Sequence, residues 1–231
     1  SIFAECTGRT ETSDRPVFYN YFYIHGSLRM SDTLLKMEAI TKVFPGVRAN
    51  DGVSFDLQPG EIHALVGENG AGKTTLMKIL YGLQKPDSGT IYLRGRATSI
   101  RNPRDAIAQG IGMVHQHFML VPPFSVLENI VLGEETHAAG MLRMEEPTRK
   151  IEQIMRDNGL PVDLSVPVAE LPVGLQQRVE ILKVLYRGAE ILVFDEPTAV
   201  LTPGEVNDLF ETFRMMKDQG KGIVFITHKL D

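Results

Sequence analysis

Tryptophan is missing from this 231-residue sequence, and cysteine occurs once, at Cys6. A lone thiol excludes an internal disulfide framework and suits a reducing compartment. No apolar run approaches the ~18 residues of a membrane span, so any membrane association has to go through a partner. The opening residues lack a basic start, an apolar core and a small-residue cleavage site, so no secretory signal is read. Basic charge is short as well. With 24 Lys and Arg against 29 Asp and Glu, the formal net charge is −5, which leaves no general basic surface for a nucleic-acid backbone. Internal repeats and low-complexity segments are lacking too. What remains is an ordinary globular balance, 43% apolar and 23% charged, in a chain long enough for one large domain or two lobes around a real core.

One stretch organises the rest. Ile62 to Val66 is an apolar run of strand type, Gly67 to Gly72 is rich in glycine, and Lys73-Thr74-Thr75 opens a run to Leu83 with helical apolar spacing. Strand, glycine loop and helix are the context that a phosphate-binding loop requires. Gly67, Gly70 and Gly72 let backbone N–H groups turn inward at angles a side chain forbids. The helix adds its dipole and its unpaired N–H groups. Lys73 supplies a point charge for β- and γ-phosphates, and the Thr74 hydroxyl is a hard oxygen donor for Mg²⁺. The bland alternative is a chance glycine turn before a helix.

Residues 1–29 differ in pattern from the rest of the chain. Phe18-Tyr19-Asn20-Tyr21-Phe22-Tyr23 is dense in aromatics without helical spacing, and ordered patterning starts at Met30. The expectation is an upstream extension outside the fold, with Met30 as the natural start; the alternative is a short strand or docking segment. From Leu34 the pattern is β, in Leu35–Ile40, Val53–Leu57 and Thr90–Leu93. Between about Ala106 and Gly188 it becomes mostly helical, with a capping-box spacing at Ser125-Val126-Leu127-Glu128 and helices from about Glu145 to Asn158 and Gly174 to Tyr186. The α/β pattern then returns. Glu190 to Phe194 is a buried strand, Thr202-Pro203-Gly204-Glu205 a second capping box, and Gly222 to Thr227 the last strand. The fold class is therefore α/β, with a mainly parallel sheet, an N-terminal antiparallel β layer and an inserted helical lobe over about 115–188.

In open parallel sheets, ligands bind beyond the carboxyl ends of the strands. Gly67, Asp195 and His228 each lie at or just past such an end, so adjacent strands bring them to one site. Asp195 is placed to hold Mg²⁺, and Glu196 to orient and deprotonate an attacking water. Alone the pair would read as a strand-end acid and a helix-capping acid; beside the glycine loop the chemical reading leads. Gln116 ends a strand-like run where it can touch the metal and the water. His115 and His117 share its neighbourhood without the cysteine or acidic companions that zinc prefers.

Gly67 to Thr75, Gln116, Gly174-Leu175-Gln176-Gln177-Arg178-Val179, Asp195-Glu196-Pro197-Thr198 and Thr227-His228 stand in the order and spacing of an ABC transporter ATP-binding subunit. The resemblance covers about residues 34–231 and makes the core a P-loop NTPase. Phe44-Pro45-Gly46-Val47 and Ala199-Val200-Leu201-Thr202-Pro203 are most similar to the tandem ATPase subunits of bacterial sugar and nucleoside importers. The Val173 to Lys183 stretch is similar to the nucleoside branch.

The resemblance implies an ATP-hydrolysing, Mg²⁺-dependent subunit that powers import of a small solute. Phe44 would stack on adenine. Gly67, Glu68, Asn69, Gly70, Ala71, Gly72, Lys73, Thr74 and Thr75 would cradle the phosphates, with Thr74, Gln116 and Asp195 on the metal. Glu196, Gln116 and His228 would serve hydrolysis. Leu171, Pro172, Val173, Gly174, Leu175 and Gln176 would form the signature segment, which acts on ATP held by a second ATPase domain. Transmembrane permease subunits would be direct partners and a solute-binding protein an indirect one, with the chain peripheral on the cytoplasmic face of the membrane and no nucleic acid expected. The rivals are a soluble ABC ATPase acting on ribosome or DNA, and a nucleotide-binding regulatory module without turnover.

The sequence departs from the family in three ways. Where the family reads Leu-Ser-Gly-Gly-Gln, this chain has Leu171-Pro172-Val173-Gly174-Leu175, and Pro172 lacks both a hydroxyl and a backbone N–H. Thr202 replaces the usual aspartate. The sequence also stops three residues after His228, where the family continues, so the expectation is an incomplete copy whose last strand is poorly supported.

Overall fold

Ile191–Asp195 is apolar at every position before its terminal acid, and a strand can hide such a run only when both faces are covered. The structure, a computed structural model, covers them. It describes residues 19–21, 33–134, 137–138, 141–142 and 144–228, the three short stretches by backbone alone.

An antiparallel hairpin comes first after residue 33, β2 (Leu35–Phe44) and β3 (Val47–Leu57), followed by β4 (Ile62–Val66), α1 (Lys73–Leu80), β5 (Ser88–Leu93) and β6 (Arg96–Thr98). Next come α2 (Pro103–Ala108), β7 (Ile111–Val114), α3 (Val126–Val131), a two-residue hairpin β8 (His137–Ala138) and β9 (Met141–Leu142), α4 (Glu145–Asn158) and α5 (Val173–Tyr186). The chain ends its described course with β10 (Ile191–Asp195), α6 (Pro203–Asp218) and β11 (Gly222–Thr227). One sheet has the order β1-β4-β11-β10-β7, where β1 is Tyr19–Tyr21, a second has the order β3-β2-β5-β6, and β8-β9 form a third by themselves.

Strands β4, β11, β10 and β7 are mutually parallel, with Val193 opposite both Val224 and Met113. Alternate side chains feed separate cores. Ile191, Val193, Val224 and Ile226 pack with α1 and the antiparallel sheet, whereas Leu192, Phe194 and Ile223 pack with α5 and α6. On that second face Phe194 and Phe213 are fully buried with ring centroids 4.6 Å apart, each worth roughly 1.5–3 kcal/mol of burial.

One expectation is corrected by this topology. The last strand, β11, is not poorly supported: it lies between β4 and β10 and is hydrogen-bonded to both. Position along the chain says nothing about position in a parallel sheet, because each crossover can skip a neighbour. Within the stretch read as an extension, with a short strand as the alternative, Tyr19–Tyr21 runs antiparallel along β4, with Tyr19 opposite Val66 and Tyr21 opposite Ala64. A strand edge offers a row of N–H and C=O groups, and tyrosine-rich extended chain has the propensity to pair with it. Residues 1–18 and 22–32, Met30 included, lie outside the described residues.

Candidate functional site

Helix starts separate the candidate site from the scaffold. Asn102 caps α2, and Ser125–Glu128 and Thr202–Glu205 form complete capping boxes on α3 and α6. Helix α4 has no side-chain cap but carries Glu145 and Glu146 in its first turn. Among the described α-helices, only α1 and α5 begin with neither a side-chain cap nor a first-turn acid. Those two are the helices that start at the glycine loop and at the segment expected to be the signature. An uncapped N-terminus presents N–H donors and positive dipole to an anion.

The glycine loop is held by geometry that only glycine allows. Gly72 has φ of 88°, and a Cβ there would stand 2.0 Å from the Ala49 carbonyl oxygen of β3. Buried Asn50 donates from Nδ2 to the Gly72 carbonyl at 3.2 Å. This contact also places the hairpin tip. Phe44 pairs with Val47, three residues along β3 from Asn50, which is about 10 Å of extended strand. Within the loop, Glu68, Asn69 and Gly70 are exposed and Ala71 and Gly72 buried, while Thr74 and Thr75 are half-buried at the start of α1. Lys73 is buried and donates to the carbonyl oxygens of Gly67, at 2.6 Å, and Glu68, at 2.9 Å. Burial pulls its pKa down, opposed by the charges of Glu196 and Asp195.

Beyond the sheet's carboxyl edge the acids gather. Asp195 ends β10. Burial, and then the neighbouring Glu196 charge, push the Asp195 carboxyl above its ordinary value, against Lys78, His115 and Thr74. Glu196 accepts from Gln116 Nε2 at 3.2 Å on one oxygen, and its other oxygen lies 3.1 Å from His228 Nδ1. Thus Gln116 from the β7 side and His228 from the β11 side meet on one carboxylate. Gln116 is two residues past the end of β7 rather than at it, because the strand stops at Val114. His117 is exposed. His115 packs edge-on to Tyr81 with ring centroids 5.9 Å apart, and burial lowers its pKa.

The raised pKa of Asp195 gives a pH-dependent expectation. Above the ordinary carboxylate range, near 4, a raised folded pKa means that the ionised form destabilises the folded chain, and the penalty disappears as pH falls through that pKa. Asp195→Asn should therefore raise the melting temperature of the nucleotide-free chain at pH 7–8. The gain should shrink as pH falls towards 4, which thermal denaturation across a pH series would measure. A fall in melting temperature at neutral pH would contradict the burial argument.

The segment expected to be the signature, Leu171 to Gln176, lies at the start of α5. Leu171 accepts from Gln176 Nε2 at 2.9 Å, Pro172 occupies the N-cap position, and Val173 is exposed. A Cβ on Gly174 would stand 2.1 Å from Glu205 Oε1, so that side chain would have to move to admit one. Leu175 and Gln176 both donate from their N–H groups to the Pro172 carbonyl.

Sequence reasoning missed the fastenings of α5. Gln177 is buried and donates to the Pro197 carbonyl at 2.8 Å, directly after Glu196. Glu180 accepts from the Met119 N–H at 2.6 Å and Lys183 donates to the Met119 carbonyl at 2.8 Å, so both polar backbone groups of one residue are held three positions past Gln116. Two charges inside the apolar run Val179–Leu185 were the available signal, because buried charges require partners.

The ABC transporter family model matches residues 50–199. The chain belongs to the ABC transporter family. The nucleoside import ATP-binding protein of Lactococcus lactis is 50% identical, over 87% of this chain and 40% of its own length. The glucose import ATP-binding protein of Haloferax volcanii is 47% identical, over 87% of this chain and 42% of its own. This ABC chain thus spans about two-fifths of the length of such curated relatives. Among solved structures, the ADP conformation of an ATP-binding cassette of an ABC transporter superposes with a TM-score of 0.77 at 30% identity, covering 86% of this chain and 82% of that one. A dimeric bacterial ABC transporter cassette superposes with a TM-score of 0.70 at 25% identity, covering 84% and 88%. The P-loop NTPase fold expected for an ABC cassette is thereby shown. No helix among the described residues is long and apolar enough to cross a membrane.

Proposed function

We propose that this chain is the nucleotide-binding domain of an ATPase subunit that drives import of a sugar or nucleoside through membrane partner subunits. The observation that carries the reading is the meeting of Gln116 and His228 on Glu196, beside Asp195 and across from the uncapped start of α1. Triphosphate binds the loop from Gly67 to Thr75, where Lys73 exchanges its carbonyl partners for phosphate oxygens, and the base lies at the hairpin tip against Phe44. Asp195, Thr74 and Gln116 offer the hard oxygens that suit Mg²⁺, which needs few protein ligands because it keeps waters and phosphate oxygens. The Asp195 charge already acts on Lys73, the residue before Thr74, so the residues fit the ion. Bound there, Mg²⁺ would neutralise phosphate charge. Glu196 takes the proton of the attacking water, and Gln116 and His228 hold its carboxylate in place.

The second ATPase domain enters through α5. Its uncapped N-terminus offers donors to a nucleotide held by the opposing domain, fewer than the family pattern provides because Pro172 has no N–H. ATP then joins two domains, and hydrolysis releases them. The α5 contacts with Pro197 and Met119 connect that helix to both Glu196 and the Gln116 loop, and the loop and helical lobe pass the motion to permease subunits at the cytoplasmic face. The names of relatives on both sides of the sugar and nucleoside divide support a small solute of these classes.

The test is uptake of labelled ribose and labelled guanosine by vesicles holding the complete protein with its permease subunits, with ATP supplied on the side of the ATPase subunit. ATP-dependent transport of one of them is the expected result. ATP turnover that no permease or solute stimulates would contradict the importer reading.

A further inference from the structure

The ladder between β2 and β5 ends at Thr41 opposite Ser88, yet β2 continues to Phe44. Asp87, in the turn between α1 and β5, takes over where β5 stops. Its N–H donates to the Thr41 carbonyl at 2.9 Å, one carboxylate oxygen accepts from the Val43 N–H at 2.7 Å, and the other accepts from Lys42 Nζ at 2.9 Å. Three successive residues before Phe44 are thus fastened by one aspartate. The Lys42 ammonium also lies 5.6 Å from the centroid of the Phe44 ring, within cation–π range. The Lys42 side chain is only 15% exposed, so the cation is fixed between carboxylate and ring rather than free in solvent. The Val43 N–H, followed by Lys42, holds the Asp87 carboxyl below its ordinary pKa, so the carboxylate stays charged at neutral pH.

We infer that Asp87 and Lys42 are positioning residues for the nucleobase: they fix the hairpin tip and the electrostatics of the Phe44 ring, and thereby set affinity for the base half of the nucleotide apart from its phosphates. This rests on the reading of Phe44 as the base platform. The arrangement has a structural logic, because Asp87 stands on the segment leaving α1, the helix whose other end faces the phosphates. A charge-assisted hydrogen bond strengthens the fastening beyond that of a neutral turn, and a cation on one face of an aromatic ring draws on its π-electrons and favours stacking with an electron-rich purine.

The test is isothermal titration of the 231-residue chain with ATP and, separately, with inorganic tripolyphosphate, both with magnesium. Asp87→Ala should weaken ATP binding about tenfold, the effect of one charged hydrogen bond, and Lys42→Met about two- to fivefold. Lys42→Arg, which keeps the cation, should retain ATP affinity. Tripolyphosphate, which has no base, should bind all three variants within about twofold of the parent. Equal losses for ATP and tripolyphosphate, or no loss for ATP, would overturn the inference. Phe44→Ala separates the two readings. If it weakens ATP alone while Asp87→Ala does not, the platform stands and the positioning role fails; if it leaves ATP affinity unchanged, the platform reading fails and the positioning role falls with it.

Discussion

Replacing Glu196 with Gln should lower ATP-dependent phosphate release by roughly 10²–10⁴-fold, the range a general base contributes, while ATP binding persists. Glu196 is one of three non-glycine residues with positive φ among the described residues, at 49°, a conformation that costs about 1–3 kcal/mol and persists only where surroundings enforce it. The enforcement is visible. Its N–H donates to the Ile226 carbonyl at 3.1 Å, and its two carboxylate oxygens face Gln116 and His228. Glutamine keeps the size and an acceptor for Gln116 but cannot take a proton. The variant should therefore bind ATP, close on its partner domain and stay closed. Phosphate-release kinetics beside nucleotide-binding titration would measure both halves of the expectation, and unchanged turnover would rule out the general-base role.

Lys73→Ala should act on the other half of the cycle. The Lys73 ammonium sits buried on the Gly67 and Glu68 carbonyls, at the head of a helix with no cap and no first-turn acid. Within Gly67 to Thr75 the one cationic side chain is Lys73, and charge-assisted hydrogen bonds are worth about 1.5–3 kcal/mol. ATP affinity should fall about 10- to 150-fold by the same figure, with tripolyphosphate losing as much as ATP, because the loss falls on the phosphates. A variant that bound ATP normally yet failed in turnover would move Lys73 from binding to chemistry.

Features set by local chemistry were legible in the sequence. The glycine loop, both capping boxes and the bounds of α4 and β11 come from residue types within a few positions of one another, and the structure has them where the pattern puts them. The meeting of Gly67, Asp195 and His228 was also legible, because parallel strands share a carboxyl end whatever their order. The order itself was not. Periodicity shows that β11 is buried on both faces but not that it separates β4 from β10. Likewise the pairing of Tyr19–Tyr21 with β4 depends on which edge the crossovers leave open. Gln116 was read as the end of its strand, two residues too far along, because Met113-Val114-His115 continues an extended pattern past the last ladder pair at Val114. Asp87, Glu180 and Lys183 each act on backbone groups more than 40 residues away, and no local pattern records such partners.

The most direct measurement is phosphate release by the complete protein assembled with the proposed permease subunits, compared with the same assembly carrying Glu196→Gln and with the 231-residue chain alone. The account expects turnover that appears in the assembly, is weak or lost in the isolated chain, and vanishes with the substitution. ATP binding without turnover in every preparation would contradict it and make the site a regulatory one.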